Sequence, residues 1–88
     1  MRYRRRADVS ETAVEEDLFL HDPLSRELYH LDRTARALWT ALAEPHDLAG
    51  LTTLFAMAFP DAASERIGVD LETTLAELVG RGLVVSVP

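Results

Sequence analysis

The sequence predicts an α+β fold in which a three-stranded antiparallel sheet comes first and three helices follow. Three observations carry this. Up to Leu31 the chain reads as short extended segments, with Tyr3 to Val9 loosely alternating and Leu28, Tyr29 and Leu31 in a stretch rich in strand-forming types. At Leu31 the period switches abruptly, and Ala35, Leu38, Trp39 and Leu42 recur at helical spacing. Farther on, Ile67, Leu71, Leu75 and Leu78 form a regular stripe along one helix face.

The strands are read in order. Tyr3 to Val9 alternates loosely and is heavily charged, as suits an exposed edge strand whose arginines discourage unwanted pairing. Ser10-Glu11-Thr12 reads as a polar turn. A second strand puts Val14, Glu16, Leu18 and Leu20 on one side and Ala13, Glu15, Asp17, Phe19 and His21 on the other. Asp22-Pro23-Leu24-Ser25 supplies turn chemistry before a third strand, Glu27 to Leu31.

The helices follow at once. Asp32 stands where its carboxylate accepts the free N–H groups of a first helical turn, so helix 1 spans about Arg33 to Ala43 and stops before Pro45. Asp47 is the expected cap of helix 2, whose stripe is Leu48, Leu51, Leu54, Phe55 and Ala58 and which ends near Pro60. Gly50 costs it about 1 kcal/mol relative to alanine. Asp61 or Ser64 is expected to cap helix 3, Gly80 and Gly82 to end it, and Leu83 to Val87 to form a short β tail. Three strands, three helices and a β tail resemble a winged helix-turn-helix with its strands moved to the front.

Bulk properties narrow the function. Eighty-eight residues make one small domain, 1–88, with room for a core but not for an enclosed catalytic cavity as well. No cysteine is present, which removes disulfides and thiolate metal sites. The opening Met-Arg-Tyr-Arg-Arg-Arg has no apolar run behind it, so no signal peptide is expected, and no stretch approaches the roughly 20 apolar residues that span a bilayer. A cytoplasmic protein without membrane contact is expected. The net charge is −6 although Arg2, Arg4, Arg5 and Arg6 crowd the start, so the remaining body is more acidic still and repels phosphate backbones.

No catalytic constellation emerges. His21, His30 and His46 lack the i, i+4 spacing of a helical metal site, and the serines sit in turns, at a cap or in the tail. No glycine-rich phosphate loop occurs, so neither an enzyme nor a cofactor or metal protein is expected. Trp39 shares the buried stripe of helix 1 and reads as core. Arg66, Asp70, Thr74, Glu77 and Arg81 line one flank of the buried stripe of helix 3, a border that by itself reads as a solvated face with Arg66 and Asp70 paired.

Two segments carry a family resemblance. Leu-Asp-Arg-Thr-Ala-Arg-Ala-Leu-Trp (Leu31 to Trp39) resembles the L-N-x-T-A-x-x-I-W segment of PqqD-like proteins, with Asp32 keeping the capping role of the usual Asn. Asp70 to Leu83 resembles their D-V-x-x-F-L-x-x-L-x-x-x-G-L helix end, with Thr74 where an aromatic is common. The resemblance implies a recognition element for ribosomally made, modified peptides. A leader segment would add as a strand to the edge of the third strand and lie against helix 3. Main-chain hydrogen bonds would then give affinity and side-chain pockets specificity. On this basis the expected peptide-binding residues are Glu27, Leu28, Tyr29, His30 and Leu31 on the strand and Arg66, Asp70, Thr74 and Glu77 on the helix, with Tyr29 and Leu31 facing inward and the acidic pair open to basic leader residues. The expected partners are a precursor leader peptide and the enzyme it is delivered to, a lasso-type leader peptidase and cyclase or a radical-SAM maturase.

Two other readings compete. A winged-helix DNA binder or degenerate transcription regulator would use helix 3 for recognition, but Asp61, Glu65, Asp70, Glu72 and Glu77 against Arg66 and Arg81 make it a poor surface for a major groove. A structural or dimerisation domain would pair its open strand edge with a second copy.

Overall fold

The computed structural model describes residues 1–61 and 63–87, with side chains for all of these except Ser64. The architecture is the expected α+β, winged helix-turn-helix-like one. Strands β1 (Arg2–Arg5), β2 (Ser10–Val14), β3 (Asp17–His21) and β4 (Leu28–Leu31) precede α1 (Arg33–Ala41). A two-residue strand β5 (His46–Asp47), α2 (Leu48–Ala58), α3 (Ser64–Gly80) and β6 (Val84–Val87) complete it.

The antiparallel meander is β2-β3-β4, and this corrects the expected strand assignment. Ser10-Glu11-Thr12 is not a turn but the start of β2, and the reversal lies at Glu15-Glu16, between the paired Val14 and Asp17. Glu15 adopts φ 57°, the left-handed backbone that two-residue hairpins need to match strand twist. A glutamate gives no hint of that, because glycine and asparagine are the usual occupants. The expected first strand ends at Arg5 and leaves this sheet altogether. It forms the centre of a second antiparallel sheet, β5-β1-β6, so β1 is no edge strand.

One apolar core joins both sheets and all three helices. Leu18 and Leu20 of β3, Leu31 of β4, Leu38 and Trp39 of α1, Leu51 and Phe55 of α2, the stripe Ile67, Leu71, Leu75 and Leu78 of α3, and Val84 of β6 are all buried in it. Asp32 caps α1, its Oδ1 accepting from the Ala35 N–H at 2.8 Å, and Asp47 caps α2 through the Gly50 N–H at 2.7 Å. A Cβ on Gly50 would stand only 3.1 Å from that carboxylate, so the glycine makes room for the cap. Ala63 occupies the N-cap of α3 with no side-chain cap, in place of the expected Asp61 or Ser64; the Ser64 side chain lies outside the described set. Helix α1 ends at Ala41 and α2 at Ala58, each slightly short of expectation.

Candidate functional site: an open strand edge beside a helix

Among the described residues strand β4 pairs with β3 alone, so its other edge is open. The register fixes which groups line that edge. The Asp22 N–H donates to the Glu27 carbonyl at 3.0 Å, and antiparallel bonding alternates residue by residue. Counting on by twos turns the backbone groups of Tyr29 and Leu31 toward β3 and leaves those of Leu28 and His30 on the open edge. The side chains divide the other way. Tyr29 and Leu31 stand opposite buried Leu20 and Leu18 on the inner face, whereas His30 stands opposite Phe19 on the outer one.

The expected strand residues therefore play unequal parts. Leu31 is 1% exposed and its side chain belongs to the core. Leu28 and His30 offer backbone to the edge, while their side chains are exposed on the far face. There the His30 ring lies 5.1 Å from that of Phe19, and its Nε2 is 2.9 Å from Asp17 Oδ1. Tyr29 is the one half-buried side chain of the strand, and its hydroxyl donates to Glu27 Oε2 at 2.7 Å. That bond holds the phenol protonated, and together with burial it raises the Tyr29 pKa.

Helix α3 forms the facing wall. Arg66 and Asp70 make a loose exposed pair at 3.8 Å, and Thr74 is half-buried on the same flank with Glu77 exposed beyond it. Arg81, just past the helix end, lays its guanidinium 5.2 Å above the Tyr29 ring and so spans from α3 to β4. At the opposite end a pocket of about 150 Å³ opens between Thr34, Phe55, Phe59, Ile67 and Asp70. Because Arg81 lies over Tyr29 while Asp70 and Thr34 line one pocket, α3 runs opposite to β4 and the start of α1. Asp70 and Arg81 are eleven helical residues apart, about 16 Å, which four to five residues of extended chain would cover.

The turn before β4 is fixed by an ion pair that links distant segments. Arg6 donates from both terminal nitrogens to Asp22, at 2.9 and 3.2 Å, and also to the Gly82 carbonyl at 3.1 Å. Asp22 is 3% exposed and also accepts from the Leu24 N–H at 2.9 Å. These bonds, the one from Arg6 foremost, hold its pKa down at about 2; the Arg6 pKa is raised by its bonds to Asp8 first, the nearer at 2.7 Å, and then to Asp22. One guanidinium thus ties the turn between β3 and β4 to the turn after α3. Arg5 is engaged as well, 5.5 Å from the Trp39 ring centroid and 3.4 Å from Glu11.

The strand and helix residues expected from the resemblance lie on β4 and α3, and the contacts at the two ends have little trace in the sequence. On sequence Arg81 falls on the helix flank without a role and Phe55 on the stripe of helix 2, and the i, i+4 spacing of Phe55 and Phe59 is the signal that marks them as a pair. Arg6 and Asp22, sixteen positions apart, gave no signal at all.

A family model described as Coenzyme PQQ synthesis protein D (PqqD) matches residues 17–84. The chain belongs to the PqqD family. The matched span runs from β3 into β6, so it contains β4 and α3 and leaves β1 and β2 outside. Two solved structures share the fold. One is TbiB1 in complex with the TbiA(beta) leader peptide, at TM-score 0.81 and 14% identity over 97% of this chain and 98% of that one. The other is a lasso peptide synthetase B1 complexed with the leader peptide, at TM-score 0.77 and 20% identity over 96% and 98%. No curated protein matches the chain.

Proposed function

We propose that this PqqD-family chain binds the leader segment of a ribosomally made precursor peptide and delivers it, without catalysis of its own, to a modifying enzyme or leader peptidase in the cytoplasm. The observation that carries the reading is the unpaired edge of β4, aligned with the flank of α3 and ending in an apolar pocket. An extended peptide satisfies the free groups of Leu28 and His30 and turns alternate side chains into the groove. Its inner side chains meet Tyr29, Thr74, Glu77 and Asp70, and one apolar side chain fills the pocket beside Phe55 and Phe59. The two structural neighbours, each solved with a leader peptide, support the same reading. The likeness to a lasso peptide synthetase B1 supports a lasso-type peptidase and cyclase as the partner, with a radical-SAM maturase the other candidate.

Fluorescence polarisation of labelled leader segments, taken from short peptides encoded beside this gene, tests the proposal, with a random DNA duplex as control. Micromolar or tighter binding to one leader and none to DNA supports it. Binding to DNA alone overturns it.

A further inference from the structure

We infer that Arg81 reads a carboxylate of the bound peptide, at a residue four positions from the one whose apolar side chain fills the Phe55–Phe59 pocket. The inference rests on the strand-addition reading and specifies what that groove selects.

Arg81 is a cation without an acid. Among the described residues it makes no salt bridge, although Glu77 stands one turn earlier at the i, i+4 spacing that favours a Glu–Arg pair. Its guanidinium carbon instead lies over the Tyr29 ring, 5.2 Å from the centroid, and among the described residues none of the guanidinium N–H groups has a hydrogen-bond partner. The other carboxylate nearby, Glu27, already accepts from the Tyr29 hydroxyl, which keeps the ring in place beneath the cation. The Arg6 bond to the Gly82 carbonyl anchors the residue next to Arg81, so the cation hangs from a fixed turn. A planar donor fork held beside an open strand edge suits a carboxylate better than any other peptide group.

Position follows from the ruler of the groove. A strand added to β4 turns every second side chain inward, and the residue beside Tyr29 is one of these. The apolar pocket lies about 16 Å along α3 from Arg81. Four residues is the even separation that keeps both side chains on the inner face within that length. The β2-β3-β4 sheet is antiparallel throughout, and an antiparallel addition runs from the Thr34 end toward Tyr29. The apolar residue then comes first in the peptide and the acidic one four positions later.

The test is a selection from a displayed random peptide library on the immobilised full chain and on its Arg81→Glu variant. Arg81 is exposed, so the melting temperature of the variant should match the parent within a few degrees. With the parent, Asp or Glu should be enriched four residues after an apolar position. With Arg81→Glu the enrichment should switch to Lys or Arg, and acid-bearing peptides should bind the variant at least roughly tenfold more weakly. Peptides that bind both proteins through the strand edge, losing affinity on backbone N-methylation at alternate residues, yet show no acidic preference would overturn the inference and leave strand addition standing. Selected peptides insensitive to N-methylation would remove strand addition, and the inference with it.

Discussion

Replacing His30 by proline separates main-chain recognition from side-chain recognition. The His30 N–H faces the open edge and takes no part in the β3–β4 ladder, so proline removes a group that only an added strand uses. The residue before it, Tyr29, already lies in an extended strand, as a residue preceding proline must. Fold stability should therefore change little, because the exposed contact with Asp17 that disappears is worth little in water. Binding should suffer more. One backbone hydrogen bond is lost, worth about 0.5–1.5 kcal/mol net, and the peptide carbonyl that faced it is left unpaired, for a total of about 1–3 kcal/mol. That corresponds to a roughly five- to 150-fold rise in Kd. His30→Ala is the control, since its side chain lies on the opposite face and its backbone is unchanged. Polarisation titrations of a leader peptide with both variants, alongside thermal melts, decide the matter. Equal losses for His30→Ala and His30→Pro would refute recognition through the edge of β4, as would a proline variant that binds like the parent.

Three further outcomes follow from the same geometry. Asp70→Arg should weaken leader binding by about 1–3 kcal/mol while leaving thermal stability nearly unchanged, because its pair with Arg66 is loose and exposed; titration and melting of the one variant check both parts. Its neighbour Leu71 is fully buried, so Leu71→Ala should cost about 2–5 kcal/mol of stability by urea unfolding. The third concerns acid. Asp22 titrates at about 2 in the fold, below the ordinary 3.8, so its stabilisation is complete above about pH 4 and lost as pH falls through 2. Thermal melts from pH 6 to pH 2 should fall more steeply over that window for the parent than for Asp22→Asn.

What could be read from the chain followed the range of the interaction. The stripe of α3 and the burial of Trp39 are periodic signals, and Asp32 caps within three residues of itself, so each was legible locally. The N-terminal strand was not. Its alternation is weak because β1 is charged on nearly every residue, and its partners β5 and β6 lie some forty and eighty positions away. The hairpin at Glu15 was hidden by a residue type that seldom turns. At the candidate site, the strand edge and the helix flank were expected only through the family resemblance. The ends were not, because Arg81 on Tyr29 and Arg6 on Asp22 are meetings that only the tertiary fold arranges.

The pairing of β1 with β6 has a topological consequence. Arg2 lies opposite Val87, so the two ends of the fold emerge side by side at the same rim. A short linker could therefore close the chain into a ring, and new ends could be opened at Glu15-Glu16, where the hairpin tip is exposed and β2 leaves the groove untouched. The same neighbourhood of ends lets the unit be spliced into a surface loop of a larger protein without parting the sheet that holds it shut.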